Sequence, residues 1–378
     1  MKKNELLYKV IEDKTITWFK NSNEYVIFEN TTADILKRIH KGIPIKVIAE
    51  AVSKKLSVPL EKSIDFIIDL ENQINKSLTK IRPELINDYR DIKKPKKYKF
   101  TKYYQINEVA FQVSYLNDLE LSYIQPKFAH LEISETKKIH FYYEIFIDTN
   151  YIFLYLDNEF VGAWSSREIH FFQGKFSMEI IQKIHKKEEK EWLGVFHASA
   201  ISNGEKSVLF LGDSGNGKST SLALLQANGF TCLADDFVPI SANEIQVFSF
   251  PAAISIKKNS LETLLPIYPE LATSAEYIYE RLNKVVRYLK PNNDNYKSHL
   301  PCRDLIFIKY EKNSELEFNR ISKLEAFQQL VPDSWLSPEK ENAEQFLNWF
   351  ENLNCYQLRY SNNEKMINTV HQLFDNEL

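Results

Sequence analysis

Between Gly212 and Ser219 the chain reads Gly-Asp-Ser-Gly-Asn-Gly-Lys-Ser, directly after the apolar run Ser207-Val-Leu-Phe-Leu211. That spacing, G-x-x-x-x-G-K-[ST], demands a strand, a tight loop and a helix in immediate succession. The glycines let consecutive backbone N–H groups turn inward around an anion, and Lys218 adds a positive charge where the outer phosphates of a nucleotide would lie. Ser219 offers a hydroxyl to Mg²⁺. Thr220 to Asn228 carry Leu222, Leu224 and Leu225 and stop at Gly229, the pattern of a short helix that aims its N-terminus at the same anion. Gly212, Asp213, Ser214, Gly215, Asn216, Gly217, Lys218, Ser219 and Thr220 are therefore expected to hold a nucleotide, with Ser219 on its metal.

The 378 residues suffice for two or three domains, and 44% hydrophobic content supports buried cores. A formal net charge of -3 gives no global argument for a nucleic-acid partner. Cys232, Cys302 and Cys355 are far apart and lack C-x-x-C spacing, which argues against a disulfide framework or zinc site and for a reducing compartment. There is no apolar stretch of membrane length, and the start Met-Lys-Lys-Asn-Glu-Leu-Leu lacks the apolar core of a signal peptide. No membrane partner is expected, and the cytoplasm is the expected location.

The first ninety residues have their own rhythm. Strand-like runs at Leu6 to Ile11, Ile16 to Phe19 and Tyr25 to Phe28 precede helical periodicity up to Asn75. Thr31 or Thr32 can cap the first helix, which runs to Gly42; Pro44 and Pro59 open the second and third. The pattern predicts a winged-helix-like α+β domain over 1–90, a shape that serves nucleic acid or peptide equally. Residues 91–99, with Lys93, Lys94, Lys96, Lys97 and Lys99 around Pro95, read as a solvated basic linker. Tyr-, Phe- and Ile-rich runs make 100–192 β-rich, with a charged helix over Met178 to Trp192, and the nucleotide core occupies 193–378. The fold class expected is α/β, with the terminal helical patterns near Phe346 to Leu353 and Met366 to Phe374 completing that core.

Two flanking segments bear on the chemistry. Leu233-Ala-Asp235-Asp236 ends an apolar strand with two acids, where one can serve a metal and the other accept a proton from an attacking hydroxyl. His197 ends a strand before the loop and is a candidate catalytic group, whereas Ser199 and Ser202 carry no independent signal. Lys257, Lys284, Arg287 and Lys290 can reach phosphates, and the polar stretch Glu280 to His299 reads as a loop over the site.

His197, fifteen residues before Gly212, with the loop and then Ala234-Asp-Asp236, resembles the catalytic core of HPr kinase/phosphorylase and its relatives, which share a phosphoenolpyruvate carboxykinase-like active-site plan. Phe250-Pro-Ala-Ala-Ile-Ser-Ile-Lys257 is similar to the segment after the nucleotide site in HPr-kinase-related proteins of peptide-biosynthesis clusters. The resemblance spans Tyr103 to the C-terminus, with its strongest motifs from His197 to Lys257. It implies a P-loop kinase core using ATP and Mg²⁺, with Lys218 on the phosphates, Ser219 and Asp235 serving the metal, Asp236 as base and His197 positioning phosphate or acceptor. Bifunctional members carry an acid after Lys-Ser, where this chain has Thr220, and their glycine- and arginine-rich signature is missing. The resemblance therefore implies a kinase rather than a phosphorylase acting on HPr.

Glu24-Tyr-Val-Ile-Phe-Glu-Asn-Thr-Thr-Ala-Asp-Ile-Leu36, Gly42 and Ile48-Ala-Glu50 resemble PqqD-like domains, which bind leader segments of ribosomally made, modified peptides. That implies a peptide strand added beside Tyr25, Val26, Ile27 and Phe28 and packed against a helix carrying Ile64, Ile67 and Ile68. The combined expectation is a serine kinase acting on a recruited precursor peptide. A nucleotide-switched regulator that binds DNA or protein, and a kinase of a small-molecule alcohol, are the alternatives. The residues leave oligomeric state open, a homo-oligomer included.

Overall fold

The computed structural model describes residues 5–79, 92–136, 138–279, 284–297 and 299–377. They form a mixed α/β chain with several sheets and, among those residues, ten α-helices. The chain divides into two units: Met1–Glu84 with Ser322–Val331 and Leu336–Glu351, and Leu85–Ile321 with Pro332–Trp335 and Asn352–Leu378. The boundary expected at residue 90 lies outside the described residues.

In the first unit β1 (Leu6–Ile11), β2 (Lys14–Phe19) and β3 (Glu24–Glu29) pair antiparallel in sequence order. Helix α1 (Asn30–His40) begins ahead of the expected Thr31 or Thr32 cap. Asn30 is tied to the β1–β2 turn instead: its Oδ1 accepts from Thr15 Oγ1 at 2.7 Å and its Nδ2 donates to Asp13 O at 3.0 Å. α2 (Ile45–Leu56) and α3 (Leu60–Thr79) each start one residue after a proline, whose fixed φ and missing N–H suit a helix boundary. Ile35, Leu36, Ile48, Ala49, Ile67 and Leu70 pack under Phe19, with Tyr8, Val26 and Phe28 against them.

β2 has a second requirement. Ile16, Thr17 and Trp18 are wholly buried and Phe19 is 1% exposed. Consecutive strand residues point to opposite faces, so both faces of this sheet need cover, and α1–α3 supply only one. The helices Lys323–Leu330 and Lys340–Glu351 supply the other: the Tyr25 ring meets Phe346 at 5.4 Å and Phe327 at 6.0 Å, both edge-on. Asn23 Nδ2 donates to Leu336 O at 2.8 Å, and Lys9 Nζ bonds Asn348 Oδ1 at 3.0 Å. The helical pattern near Phe346 therefore completes the first unit rather than the nucleotide core, which corrects the sequence-based expectation.

In the second unit, strands between Phe100 and Ser165 form a six-stranded sheet carrying the helices Asp118–Phe128 and Ile169–His185. The latter replaces the helix expected over Met178 to Trp192. Phe172 and Phe176, one turn apart, are wholly buried and extend the helix backwards, while Lys186 in a left-handed φ of 54° ends it before the charged run. In the linker expected over 91–99, Lys93, Lys96, Lys97 and Lys99 are exposed as expected, while other residues of the segment pack on the second unit. Ile92 and Tyr98 pack against the Phe146 and Phe153 cluster, and Lys94 pairs with Glu144 and lies 5.0 Å over the Tyr155 ring. Arg90 and Asp91 lie outside the described residues.

His185, at the end of that helix, sits between Trp192 and Phe248 at ring distances of 5.8 and 5.0 Å, with Nε2 2.9 Å from Ser249 O. Burial holds its pKa down at about 4, against the hydrogen bond to Ser249. The unfolded chain takes up this proton near pH 6.5 and the folded chain only near pH 4, so stability is full above about pH 6.5 and is lost as pH falls through that window. The loss is expected to approach about 3 kcal/mol from this group. Urea unfolding of the His185→Gln protein should show a flatter stability profile from pH 6.5 to 4 than the unsubstituted chain.

The sheet that carries the site orders its strands Thr231–Asp235, Ser199–Ser202, Ser207–Leu211 and His299–Tyr310 side by side, with Asn354–Tyr360 on the other edge of His299–Tyr310. Ser207–Leu211 runs parallel to His299–Tyr310, which runs parallel to Asn354–Tyr360. Ile201, Val208, Phe210, Leu222, Leu225 and Ile306 pack the helix Lys218–Ala227 onto this sheet. The expected loop from Glu280 to His299 contains a strand, Lys284–Leu289, whose Val286 and Leu289 are buried; Glu280 to Asn283 and Ser298 lie outside the described residues.

Candidate functional site

The five residues of Ser207–Leu211 are all buried, so the chain can only turn at the end of that strand. Gly212 makes the turn at φ 138°, where a Cβ would stand 2.7 Å from Ile308 O; no other residue fits. Gly217, at φ 96°, precedes the helix, which begins at Lys218, two residues earlier than expected. No side chain caps that helix start, and the first N–H groups of a helix have no acceptor within it. Such a start is an anion seat.

Lys218 is 6% exposed, and its amine donates back to Gly212 O. Burial lowers its pKa, opposed by the charges of Asp236, Asp235 and Asp213. The loop is held from behind: Asn216 N donates to Asp213 O at 3.1 Å and Asn216 O accepts from Tyr310 N at 2.9 Å.

The two acids stand in different surroundings, and Asp236 does not continue the extended strand. Asp235 is the last residue of its strand and is buried. It accepts hydrogen bonds from Ser199 Oγ at 2.6 Å, Ser255 N at 3.2 Å and Ser219 Oγ at 3.3 Å. Burial, and next the charge of Asp236, push its carboxyl above the ordinary carboxylate range in spite of those bonds. Asp236 takes a left-handed φ of 61°, a strained setting that turns it out of the strand and into the cleft.

One cleft is lined by His197, Asp213, Ser214, Gly215, Gly217, Lys218, Ser219, Thr220 and Asp236, joined by Ser255, Lys257, Asn259 and Ser260. Asp235 lies behind Ser219, while Gly212 and Asn216 frame the loop. Lys257 Nζ donates to Ser214 Oγ at 2.8 Å, and the Thr220 and Ser260 hydroxyls are 2.6 Å apart. Ser199 was missed from sequence. Its signal was a hydroxyl inside a wholly buried strand, which needs a partner, and the strand register supplies Asp235 directly opposite.

Other candidates fall elsewhere. Arg287 donates to the carbonyls of Leu271, Ala272 and Ser274, 2.6 to 3.0 Å away, so it is a structural clamp rather than a phosphate ligand. Lys290 pairs with Asp294 on the surface, and the Lys284 side chain lies outside the described residues. In the first unit Ile67 is wholly buried, Val26, Phe28 and Ile64 pack on the core, Ile27 is half-buried and Ile68 is 40% exposed. Ile67 is therefore a core residue and not part of an open groove.

Among the described residues no three His, Cys, Asp or Glu side chains gather as a metal cage, and no helix is long and apolar enough to cross a membrane. No protein-family model matches this chain, and no curated protein matches it.

Proposed function

We propose that this protein is an ATP-dependent kinase with an HPr-kinase-like P-loop core, transferring the γ-phosphoryl group to a hydroxyl, with serine the favoured acceptor, of a precursor peptide. The observation that carries the proposal is the convergence of Lys218, Ser219, Asp236 and His197 on one cleft with Asp235 beneath Ser219. Phosphoryl transfer requires positioning and charge neutralisation more than covalent chemistry. Lys218, the helix start and Lys257 provide positive potential for the phosphates. Asp236 takes the proton from the acceptor hydroxyl as its oxygen bonds to the γ-phosphorus, and the bond from that phosphorus to ADP breaks. His197, on the same wall, orients acceptor or phosphate.

The residues fit a Mg²⁺ ion. Ser219 Oγ and Asp235 Oδ1, 3.3 Å apart, are hard oxygen donors, and burial with the neighbouring Asp236 charge raises the Asp235 carboxyl, a setting that a divalent cation would relieve. Bound there, the ion would neutralise charge on the phosphates.

For the first unit we propose a winged-helix-like, PqqD-like role: β3 is an edge strand of its sheet, the arrangement to which an extended leader adds. Recruitment there raises the effective concentration of the acceptor. A cytoplasmic setting suits the ATP requirement. The test is transfer of label from γ-labelled ATP to serine-containing precursor peptides in Mg²⁺ buffer. Label on the serine oxygen, abolished in the Lys218→Ala protein, is the expected result; transfer at an undiminished rate in that variant would refute the assignment.

A further inference from the structure

The nucleotide reading of the loop leaves open where the base goes. Ligands of parallel strands sit outside their carboxyl ends, and here three such ends lie together: Leu211 running into the loop, Tyr310 and Tyr360. The acids occupy one flank of the loop strand, across Ser199–Ser202. A triphosphate with its reacting end at Asp236 therefore extends its nucleoside over the opposite flank, above the ends of His299–Tyr310 and Asn354–Tyr360.

Tyr310 stands on that flank. The residue is 46% exposed although its backbone and ring contacts are fixed. Its backbone N donates to Asn216 O of the loop at 2.9 Å, and the next residue, Glu311, donates from its N to Tyr360 O at 2.8 Å. The loop approaches closely enough that a Cβ on Gly217 would come within 3.3 Å of Tyr310 Cβ. The ring rests edge-on against Tyr360, centroids 5.5 Å apart at 74°. Tyr360 is itself 1% exposed and anchored through its hydroxyl to Ser221 Oγ at 2.8 Å, on the helix that follows the loop. A part-exposed aromatic side chain whose backbone is hydrogen-bonded to a phosphate loop offers a stacking platform.

We infer that Tyr310 is the seat of the nucleobase, stacking a purine while the loop holds the phosphates, with Tyr360 as the residue that positions it. This inference rests on the nucleotide reading. Stacking recognises a π-face rather than a hydrogen-bonding edge, so the seat confers affinity for nucleotides over bare polyphosphate more than choice among purines.

The experiment is calorimetric titration of the full chain, in Mg²⁺ buffer, with ATP and with inorganic tripolyphosphate. Tyr310→Ala is expected to weaken ATP about 10-fold, with tripolyphosphate unchanged, and Tyr310→Phe to bind ATP as the unsubstituted chain does. Tyr310→Leu keeps apolar bulk on Tyr360 and carries the same test if the alanine variant does not fold. Undiminished ATP affinity in a folded Ala or Leu variant, or equal weakening of ATP and tripolyphosphate, overturns the base seat and leaves the loop assignment standing. Failure of the unsubstituted chain to bind either probe overturns the nucleotide reading, and the seat with it.

Discussion

Replacing Asp236 by Asn is expected to lower kcat for phosphoryl transfer about 10³-fold while the affinity for ATP changes little. The reason is geometric. Asp236 leaves the strand at φ 61° and faces the cleft, so an amide of the same shape keeps the fold and removes only the proposed proton acceptor. Asp235→Asn should behave differently, because Asp235 is buried and accepts from Ser199, Ser219 and Ser255. Its loss should appear first as a weakened dependence of rate on Mg²⁺ concentration. Steady-state rates measured across a Mg²⁺ series for both variants separate the two roles; a similar fall in kcat at saturating Mg²⁺ for both would remove the division of labour between them.

Replacing Phe346 by Ala is expected to cost about 3–5 kcal/mol in the first unit, the range for truncating a buried aromatic. Phe346 is wholly buried and meets Tyr25, Phe327 and Phe350. Without it the sheet face opposite α1–α3 loses its cover, although the residue lies over three hundred positions from β3 in the chain. Hydrogen exchange should show the β2 amides opening far more often in the Phe346→Ala protein. Phe66→Ala, at a 47% exposed position on α3, should change stability by no more than about 0.5 kcal/mol. Unaltered β2 protection in Phe346→Ala would mean the two C-terminal helices do not hold this sheet.

Much of the site was legible because its signals are local. The strand Ser207–Leu211, the glycines and Lys218-Ser219 act through backbone φ and a spacing of a few residues, and the limits of β1 and the starts of α2 and α3 follow from alternation and proline. The acids were found the same way, by lying at the end of an apolar run. A division of roles between them was expected, but which of the two is buried was not legible, since Asp235 and Asp236 are the same residue type until Ser199 and Ser255 close around one of them. Lys257 and Arg287 looked alike as cations near the core. One reaches Ser214, and the other is spent on three carbonyls.

The basic run before Phe100 and the helical pattern near Phe346 illustrate the remaining gap. Charge and periodicity describe each segment correctly but not its neighbour: Ile92 and Tyr98 found an apolar cluster, and Phe346 found Tyr25. By itself, the sequence determined a glycine-rich loop between a strand and a helix, two acids at a strand end, and an N-terminal segment of three strands and three helices. Only the tertiary structure decided which serine faces which acid, which cation enters the cleft, and which helices cover the second face of β1–β3. Backbone conformation and residue spacing act over a few residues and can be read in order. Strand register and face burial are settled between residues tens to hundreds of positions apart, where closing the chain and filling the core choose the partner.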